Sequence, residues 1–178
     1  PDLPALCRLH GIELVRAENV NEPEGLEALR RLRPDVLILL GSRILKGPAL
    51  ATARLAMNFH TGILPAYRGG DTIYWAMVQG QPGRVGYSIH EAVEALDAGQ
   101  VFFEEAIAPR PGEMIDEIFA RCVRAATPHW VELLERFAHE PAPVPGRADP
   151  GMRAIEWLML RHARSERRWL ERAIAEHR

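Results

Sequence analysis

Asn58 and His60 close an apolar run, and Asp97 follows 37 residues after His60 in the segment Leu96-Asp97-Ala98-Gly99. A carboxamide can donate hydrogen bonds to a developing oxyanion. A histidine and an aspartate are the usual side chains for moving a proton within hydrogen-bond reach. The run Leu55-Ala56-Met57-Asn58-Phe59-His60 reads as a short buried strand. Side chains alternate faces along a strand, so Asn58 and His60 point one way and Phe59 the other. The carboxyl ends of strands in open α/β sheets are where such sheets bind ligands. Asp97 can complete a three-residue polar site there. An isolated Asn-x-His is a common accident, so the surrounding elements carry the argument.

Those elements alternate. A helix over residues 3–10 ends at Gly11, and residues 12–15 read as a short strand. Residues 24–33 form a helix with Leu26, Leu29 and Leu32 on one stripe. Val36-Leu37-Ile38-Leu39-Leu40 is continuously apolar and suits a parallel strand covered on both faces. A short helix over 48–53 leads into the Asn58 strand. Residues 61–70 are a loop. Asp71 is placed to cap a helix through Trp75 and Val78 that ends at Gly80. Strands follow over 85–90 and 101–107, separated by a loop. A helix over 114–126 is then capped and restarted, or kinked, at Thr127-Pro128 and continues to His139. This order predicts an α/β fold: a Rossmann-like open, mostly parallel sheet with helices on both faces. Residues 1–139 make one α/β domain. Residues 140–150, with four prolines, make a linker, and residues 151–178 a helical tail.

The totals bound the function. The chain has 178 residues, 47% hydrophobic, with a net charge of −2, so nothing global favours DNA or an anionic membrane surface. No apolar run approaches the roughly 20 residues that span a bilayer. Cys7 and Cys122 have no metal-ligand spacing, which fits a reduced, cytoplasmic setting and no metal. The opening Pro1-Asp2-Leu3-Pro4 reads as a cut into an existing element. Residues 152–178 hold seven Arg and four Glu, interrupted by Trp157 and Trp169. That pattern fits a helix packing on the domain or on a second copy, as in a homodimer, better than a tRNA contact.

The fuller string is Asn58-Phe59-His60-Thr61-Gly62-Ile63-Leu64-Pro65-Ala66-Tyr67-Arg68-Gly69, then Val85-Gly86-Tyr87-Ser88-Ile89-His90, then Leu96-Asp97-Ala98-Gly99. It resembles the 10-formyltetrahydrofolate-dependent formyltransferases over roughly residues 3–137. Their pattern is Asn-x-His, Leu-Pro-x-Tyr-Arg-Gly, Gly-x-(Thr/Ser)-x-His and Leu-Asp-x-Gly. The resemblance implies that 10-formyltetrahydrofolate is the co-substrate and that no metal takes part. It implies that Asn58 holds the formyl oxygen as it becomes an oxyanion. His60 then stabilises that charge or delivers a proton, and Asp97 orients His60 and helps take the proton of the attacking amine. Aimed donors at such an intermediate contribute about 3–4 kcal/mol each. It also implies a pterin pocket lined by Arg43, Ile44, Leu45, Glu94 and Leu96, with Arg68, Gly69 and His90 toward the acceptor.

Thr61-Gly62 replaces the Pro-Ser often found after the histidine. A first strand, helix and second strand precede the equivalent of Leu3 in the family, normally in mid-sheet. Without them residues 12–15 and 36–40 either leave a gap or pair directly. The expected acceptor is a small-molecule amine, with an amino sugar on a nucleotide preferred. That preference rests on Tyr67-Arg68-Gly69 and on a tail too short for a tRNA-type second domain. Methionyl-tRNA, glycinamide ribonucleotide, water (a formyl-folate hydrolase) and a non-catalytic binding domain are the alternatives.

Overall fold

In β2, Leu55–His60, the apolar Met57 and Phe59 alternate with the polar Asn58 and His60. In β3, Gly86–Glu91, Tyr87 and Ile89 alternate with Ser88 and His90. A period of two writes a greasy face and a polar face on each strand. The computed structural model describes residues 2–139, and the expected linker and tail at 140–178 lie outside the described residues. Within that range the sheet runs β1-β2-β3-β4, with β1 at Val36–Leu40 and β4 at Val101–Ala106.

β1 and β2 are parallel, joined through the short helix α3 at Gly47–Leu50. This is the strand-helix-strand unit that the sequence predicts. The next two pairings, β2 with β3 and β3 with β4, are antiparallel. The described sheet is therefore mixed rather than mostly parallel. The antiparallel return is made by residues 61–85. After His60 the chain forms a loop, then α4 at Thr72–Val78, then one 3-10 turn at Pro82–Arg84. The chain re-enters the sheet from the end it left, with Ser88 opposite His60.

Helix α5, Ile115–His139, packs with α4 on the apolar face. Pro128 lies inside it without ending it, and the Thr127 hydroxyl donates to the carbonyl of Val123 at 2.9 Å. Met57, Tyr87, Ile89, Ile118 and Cys122 are fully buried here. Phe59 stacks on Tyr87 and meets Phe119 edge-on, with centroids 5.8 and 6.2 Å apart. Glu105 on edge strand β4 accepts the Tyr87 hydroxyl at 2.7 Å. The polar face of the same strands is left for the site.

Two expectations on the other side of the sheet are not met. Residues 12–15 form no strand and do not pair with β1. Ile12, Leu14 and Val15 are exposed there. A strand needs a ladder partner, and among the described residues none stands beside them. Among the described residues β1 is accordingly an edge, and Ile38 and Leu40 are 49% and 57% exposed instead of covered on both faces. The remaining helices, α1 at Leu3–Leu9 and α2 at Pro23–Leu32, match the sequence reading to within a residue. Asp2 caps α1 by accepting from Ala5 N at 2.8 Å. Among the described residues no helix is long and apolar enough to cross a membrane.

Replacing Ile118 by Ala removes three heavy atoms from the centre of the apolar face. The expected loss in urea unfolding is about 2–4 kcal/mol with an unchanged m-value. A loss under about 0.5 kcal/mol would mean that α5 is not fastened through this residue.

Candidate active site

The antiparallel register sets Asn58 directly opposite His90, and His60 opposite Ser88. Four polar side chains from two neighbouring strands therefore share one patch. β4 carries an extra residue against Ile89 and His90, since these pair with Phe103 and Val101 and leave Phe102 unmatched. A bulge of this kind bends a strand and re-aims its neighbours.

Asp97 comes over this patch from the loop between β3 and β4. Its backbone is left-handed, with φ at 45°. Aspartate adopts that conformation more readily than most residues, at a cost on the order of 1–3 kcal/mol. The loop can close because Gly99 has no side chain. A Cβ there would lie 2.0 Å from the Glu91 carbonyl oxygen. The Asp97 carboxylate then bridges the site. Oδ2 accepts from Gly69 N at 2.8 Å and lies 3.4 Å from His60 Nδ1. Oδ1 accepts from Asn58 Nδ2 at 3.3 Å and lies 3.4 Å from His90 Nε2. Asn58 Nδ2 is also 3.1 Å from His90 Nε2.

His60 is buried, and its Nε2 is 2.7 Å from the carbonyl oxygen of Tyr67. A carbonyl only accepts, so Nε2 carries a proton. Gly62 makes this contact possible: a Cβ at 62 would stand 2.7 Å from both His60 Nε2 and Tyr67 O. The Thr61-Gly62 departure thus has a local purpose. Ser88 holds the same loop, donating to Gly62 O at 2.6 Å and accepting from Leu64 N at 3.2 Å. Thr72 donates from its hydroxyl to Thr61 O. Asp71 occupies the N-cap position of α4 but makes no capping bond, because its own backbone is left-handed with φ at 56°. That corrects the expectation of a side-chain cap.

Asn58, His90 and Asp97 lie at the floor of a cleft walled by Arg43, Ile44, Leu45 and Leu96, with Leu39 and Val93 completing the lining. Four of the five residues expected around the pterin therefore line one cleft. The fifth, Glu94, ties its walls together by accepting from Gly47 N. Gly69 supports Asp97 through its backbone. Arg68 is 4% exposed and sits inside the protein rather than on the cleft, close enough for its charge to act on His60. Sequence reasoning missed Asn21, whose side chain donates to Ile44 O at 2.9 Å and accepts from Lys46 N at 2.8 Å. It pins the wall from 23 and 25 residues away, and an Asn in a short loop before Pro23 carries no signal of that.

Burial pushes the His60 pKa down, and the nearby His90 and Arg68 act in the same sense. Asp97 and the Tyr67 carbonyl oppose them without prevailing. Burial would raise the Asp97 carboxyl, but the hydrogen bond with His90, the charge of His60 and the Gly69 N–H outweigh it and hold it below its usual range. Near neutral pH the site is an uncharged imidazole beside an ionised carboxylate.

The family model described as formyl transferase matches residues 6–133. The methionyl-tRNA formyltransferase of Thermotoga maritima is 32% identical over 138 residues, covering 74% of this chain and 42% of that protein. The chain thus spans less than half the length of that relative. Among solved structures, glycinamide ribonucleotide transformylase 1 of Symbiobacterium toebii superposes with a TM-score of 0.70 at 21% identity, covering 81% of this chain and 72% of that one. The formyltransferase PseJ of Anoxybacillus kamchatkensis, solved with a UDP-linked formamido sugar and tetrahydrofolate, gives 0.62 at 17%, covering 84% and 78%. At those identities the structures show a common fold.

The geometry makes two predictions. Gly62→Ala should displace His60 from Tyr67 O and cost about 1–3 kcal/mol in urea unfolding, because a buried ring N–H loses its acceptor. An unchanged unfolding midpoint in this variant would mean that the His60–Tyr67 contact does not depend on a bare Cα at residue 62. The second concerns pH. The unfolded chain protonates His60 near pH 6.5, whereas the folded chain does so only at lower pH. Stability should therefore fall as pH drops below about 6.5 and continue falling until His60 titrates in the folded state. Asp97 acts in the same direction at lower pH, its contribution being lost as pH falls below 3.8. Urea unfolding at about pH 7.5, 6.5 and 5.5 reads the His60 effect, and His60→Gln should flatten it. A wild-type profile that is already flat would contradict a depressed pKa.

Proposed function

The chain belongs to the formyl transferase family, and we propose on that basis that it moves a formyl group from 10-formyltetrahydrofolate to a primary amine. The observation that carries this reading is the convergence of Asn58, His60, His90 and Asp97, all within 3.4 Å of a neighbour in the set, with Asn58, His90 and Asp97 at the floor of the cleft between residues 42–45 and 92–97. The folate supplies the one-carbon unit, and the protein supplies position and charge.

Attack by the amine turns the formyl carbon tetrahedral and its oxygen into an oxyanion. Asn58 donates from Nδ2 to that oxygen. Its two present contacts, at 3.1 and 3.3 Å, are long and give way to a stronger acceptor. His60, held between Tyr67 O and Asp97, fixes the carboxylate against the strand. Asp97 and the imidazoles at its two oxygens form the proton-handling group. Leu39, Ile44, Leu45, Val93 and Leu96 give the apolar walls that a flat pteridine ring requires.

Two acceptors have separate support. The 32% identity to a methionyl-tRNA formyltransferase favours the amino group of methionyl-tRNA. The Tyr67-Arg68-Gly69 form and the fold shared with PseJ favour an amino sugar on a nucleotide.

The test is thermal unfolding of this chain with 5-formyltetrahydrofolate, a stable donor analogue, followed by an acceptor screen. At about 100 times its dissociation constant the ligand adds about 2.7 kcal/mol, roughly 5–10 °C for a domain of this size. Asp97→Asn should keep most of that shift while transfer to methionyl-tRNA, the sugar nucleotide or glycinamide ribonucleotide drops by at least about 10²-fold. A cooperatively melting chain that shows no shift would defeat the formyl-transfer reading. Full turnover in Asp97→Asn would remove the carboxylate from the chemistry.

A further inference from the structure

The loop after β2 touches the site through its backbone at two points. Tyr67 O accepts the Nε2 proton of His60 at 2.7 Å, and Gly69 N donates to Asp97 Oδ2 at 2.8 Å. Each member of the His60–Asp97 pair is thus held by one short stretch of main chain. Whatever fixes Tyr67 and Gly69 also sets an imidazole and a carboxylate that stand 3.4 Å apart. Ser88 fastens the near side of the loop at Gly62 and Leu64. Beyond Leu64, Tyr67 N donates to Ile63 O at 3.2 Å.

The far side of the loop is held by a side chain. Tyr67 is buried, and its hydroxyl reaches the end of α4, 2.9 Å from Gln79 Oε1 and 3.1 Å from Gln81 Oε1. The helix sets both glutamines: Gln79 N donates to Trp75 O at 3.0 Å, and Gln81 N to Ala76 O at 2.8 Å. Gly80, left-handed with φ at 66°, makes the turn that brings both side chains to one hydroxyl. Burial pushes the Tyr67 pKa up, against the charge of Arg84, so the group stays a hydroxyl across the neutral range. A hydroxyl has one proton to give and lone pairs to receive with. It donates to one glutamine, and the other amide satisfies it by turning its nitrogen toward the oxygen. The 2.9 Å contact is nearer the O–H···O range and the 3.1 Å contact suits N–H···O. Gln79 therefore accepts and Gln81 donates.

We infer that Tyr67 is a positioning residue for formyl transfer: its hydroxyl, fixed between Gln79 and Gln81, ties the His60–Asp97 pair to the end of α4. The inference rests on the formyl-transfer reading. Tyr67 does not line the cleft, so its influence reaches the site through the backbone of residues 67–69. The hydroxyl fixes the ring, the ring fixes its own carbonyl, and the carbonyl orients the imidazole of His60. Two residues on, the same stretch presents Gly69 N to the carboxylate. Freeing the hydroxyl loosens both contacts together and leaves the cleft walls as they are.

The experiment compares wild type with Tyr67→Phe, Gln79→Glu, Gln81→Glu and the double variant Tyr67→Phe/Gln81→Glu. It uses the acceptor identified in the screen above, with 5-formyltetrahydrofolate binding as the control for an intact pocket. Expected for Tyr67→Phe is normal folate binding, an unchanged KM for the donor and a kcat lower by about 10-fold, within the roughly 10²-fold that an ångström of misplacement can cost. Gln79→Glu keeps an accepting oxygen and should stay near wild type. Gln81→Glu removes the donor and should lose as much as Tyr67→Phe. The double variant should lose no more than Tyr67→Phe alone, because both changes act through one bond. A second measurement needs no turnover. The NMR resonance of the His60 Nε2 proton should move in Tyr67→Phe and Gln81→Glu and stay in place in Gln79→Glu.

Wild-type kcat in Tyr67→Phe or in Gln81→Glu, with folate bound, would overturn the inference. So would losses that multiply in the double variant, since the two residues would then act separately. If Tyr67→Phe does not fold, Gln81→Glu decides the matter, and an unmoved His60 resonance there would sink the proposal. Folate binding and no transfer by wild type to any acceptor would instead overturn the formyl-transfer reading, and this inference with it.

Discussion

A carboxylate taken out of water must be paid for in hydrogen bonds, and Asp97 is the point around which this half of the molecule is arranged. The side chain is 9% exposed. An isolated ionised carboxyl at that depth would be driven to its neutral form. Here Gly69 N, Asn58 Nδ2 and two imidazoles surround it, from three separate stretches of chain. Gly69 comes from the loop after β2, Asn58 and His60 from β2 itself, and His90 from β3. Removing the carboxylate would leave three strand side chains and a loop without their common partner. The left-handed turn at Asp97 and the glycine at 99 exist to bring it there.

The sheet serves that arrangement by separating its two faces. Met57, Phe59, Tyr87 and Ile89 face α4 and α5 and form the apolar core. Asn58, His60, Ser88 and His90 occupy the same strands on the opposite side. A register slip of one residue would exchange the two sets, placing two histidines in the core and two aromatics on the site. Core packing and site geometry are therefore a single constraint: the burial of Tyr87 and Ile89 fixes which way His90 points.

Much of this was legible in the sequence, for reasons that can be named. The alternation in residues 55–60 places Asn58 and His60 together without any tertiary knowledge. The apolar run at 36–40, the long helix from 115 and the glycine-marked turns stand out by periodicity. The resemblance in the four motifs identifies Asp97 and the cleft loops. What was hidden depends on contacts between distant residues. The direction of β3 depends on which end of the sheet residues 61–85 return to, which periodicity does not encode. The strand expected at 12–15 has the right composition but no partner beside it. Asp71 has the right residue type for a cap, yet its backbone angle forbids the bond. The work of Asn21, Gly62 and Ser88 rests on pairs that meet only in the folded chain.

The cleft joins two kinds of wall. Its floor, Asn58, His90 and Asp97, is tied by contacts among its own members and anchored by Gly69 N and Glu91 O. Its rim, residues 42–47 and 92–96, is held by Asn21, by the Glu94–Gly47 contact and by Ala92 N donating to Ala56 O. The chemistry and the fit to the ligand are therefore under separate structural control. A lineage can alter residues 21, 44 or 94 and change how the rim grips its ligand without disturbing any contact that Asp97 makes. Such a division lets one reaction centre be inherited intact while the molecules brought to it diversify.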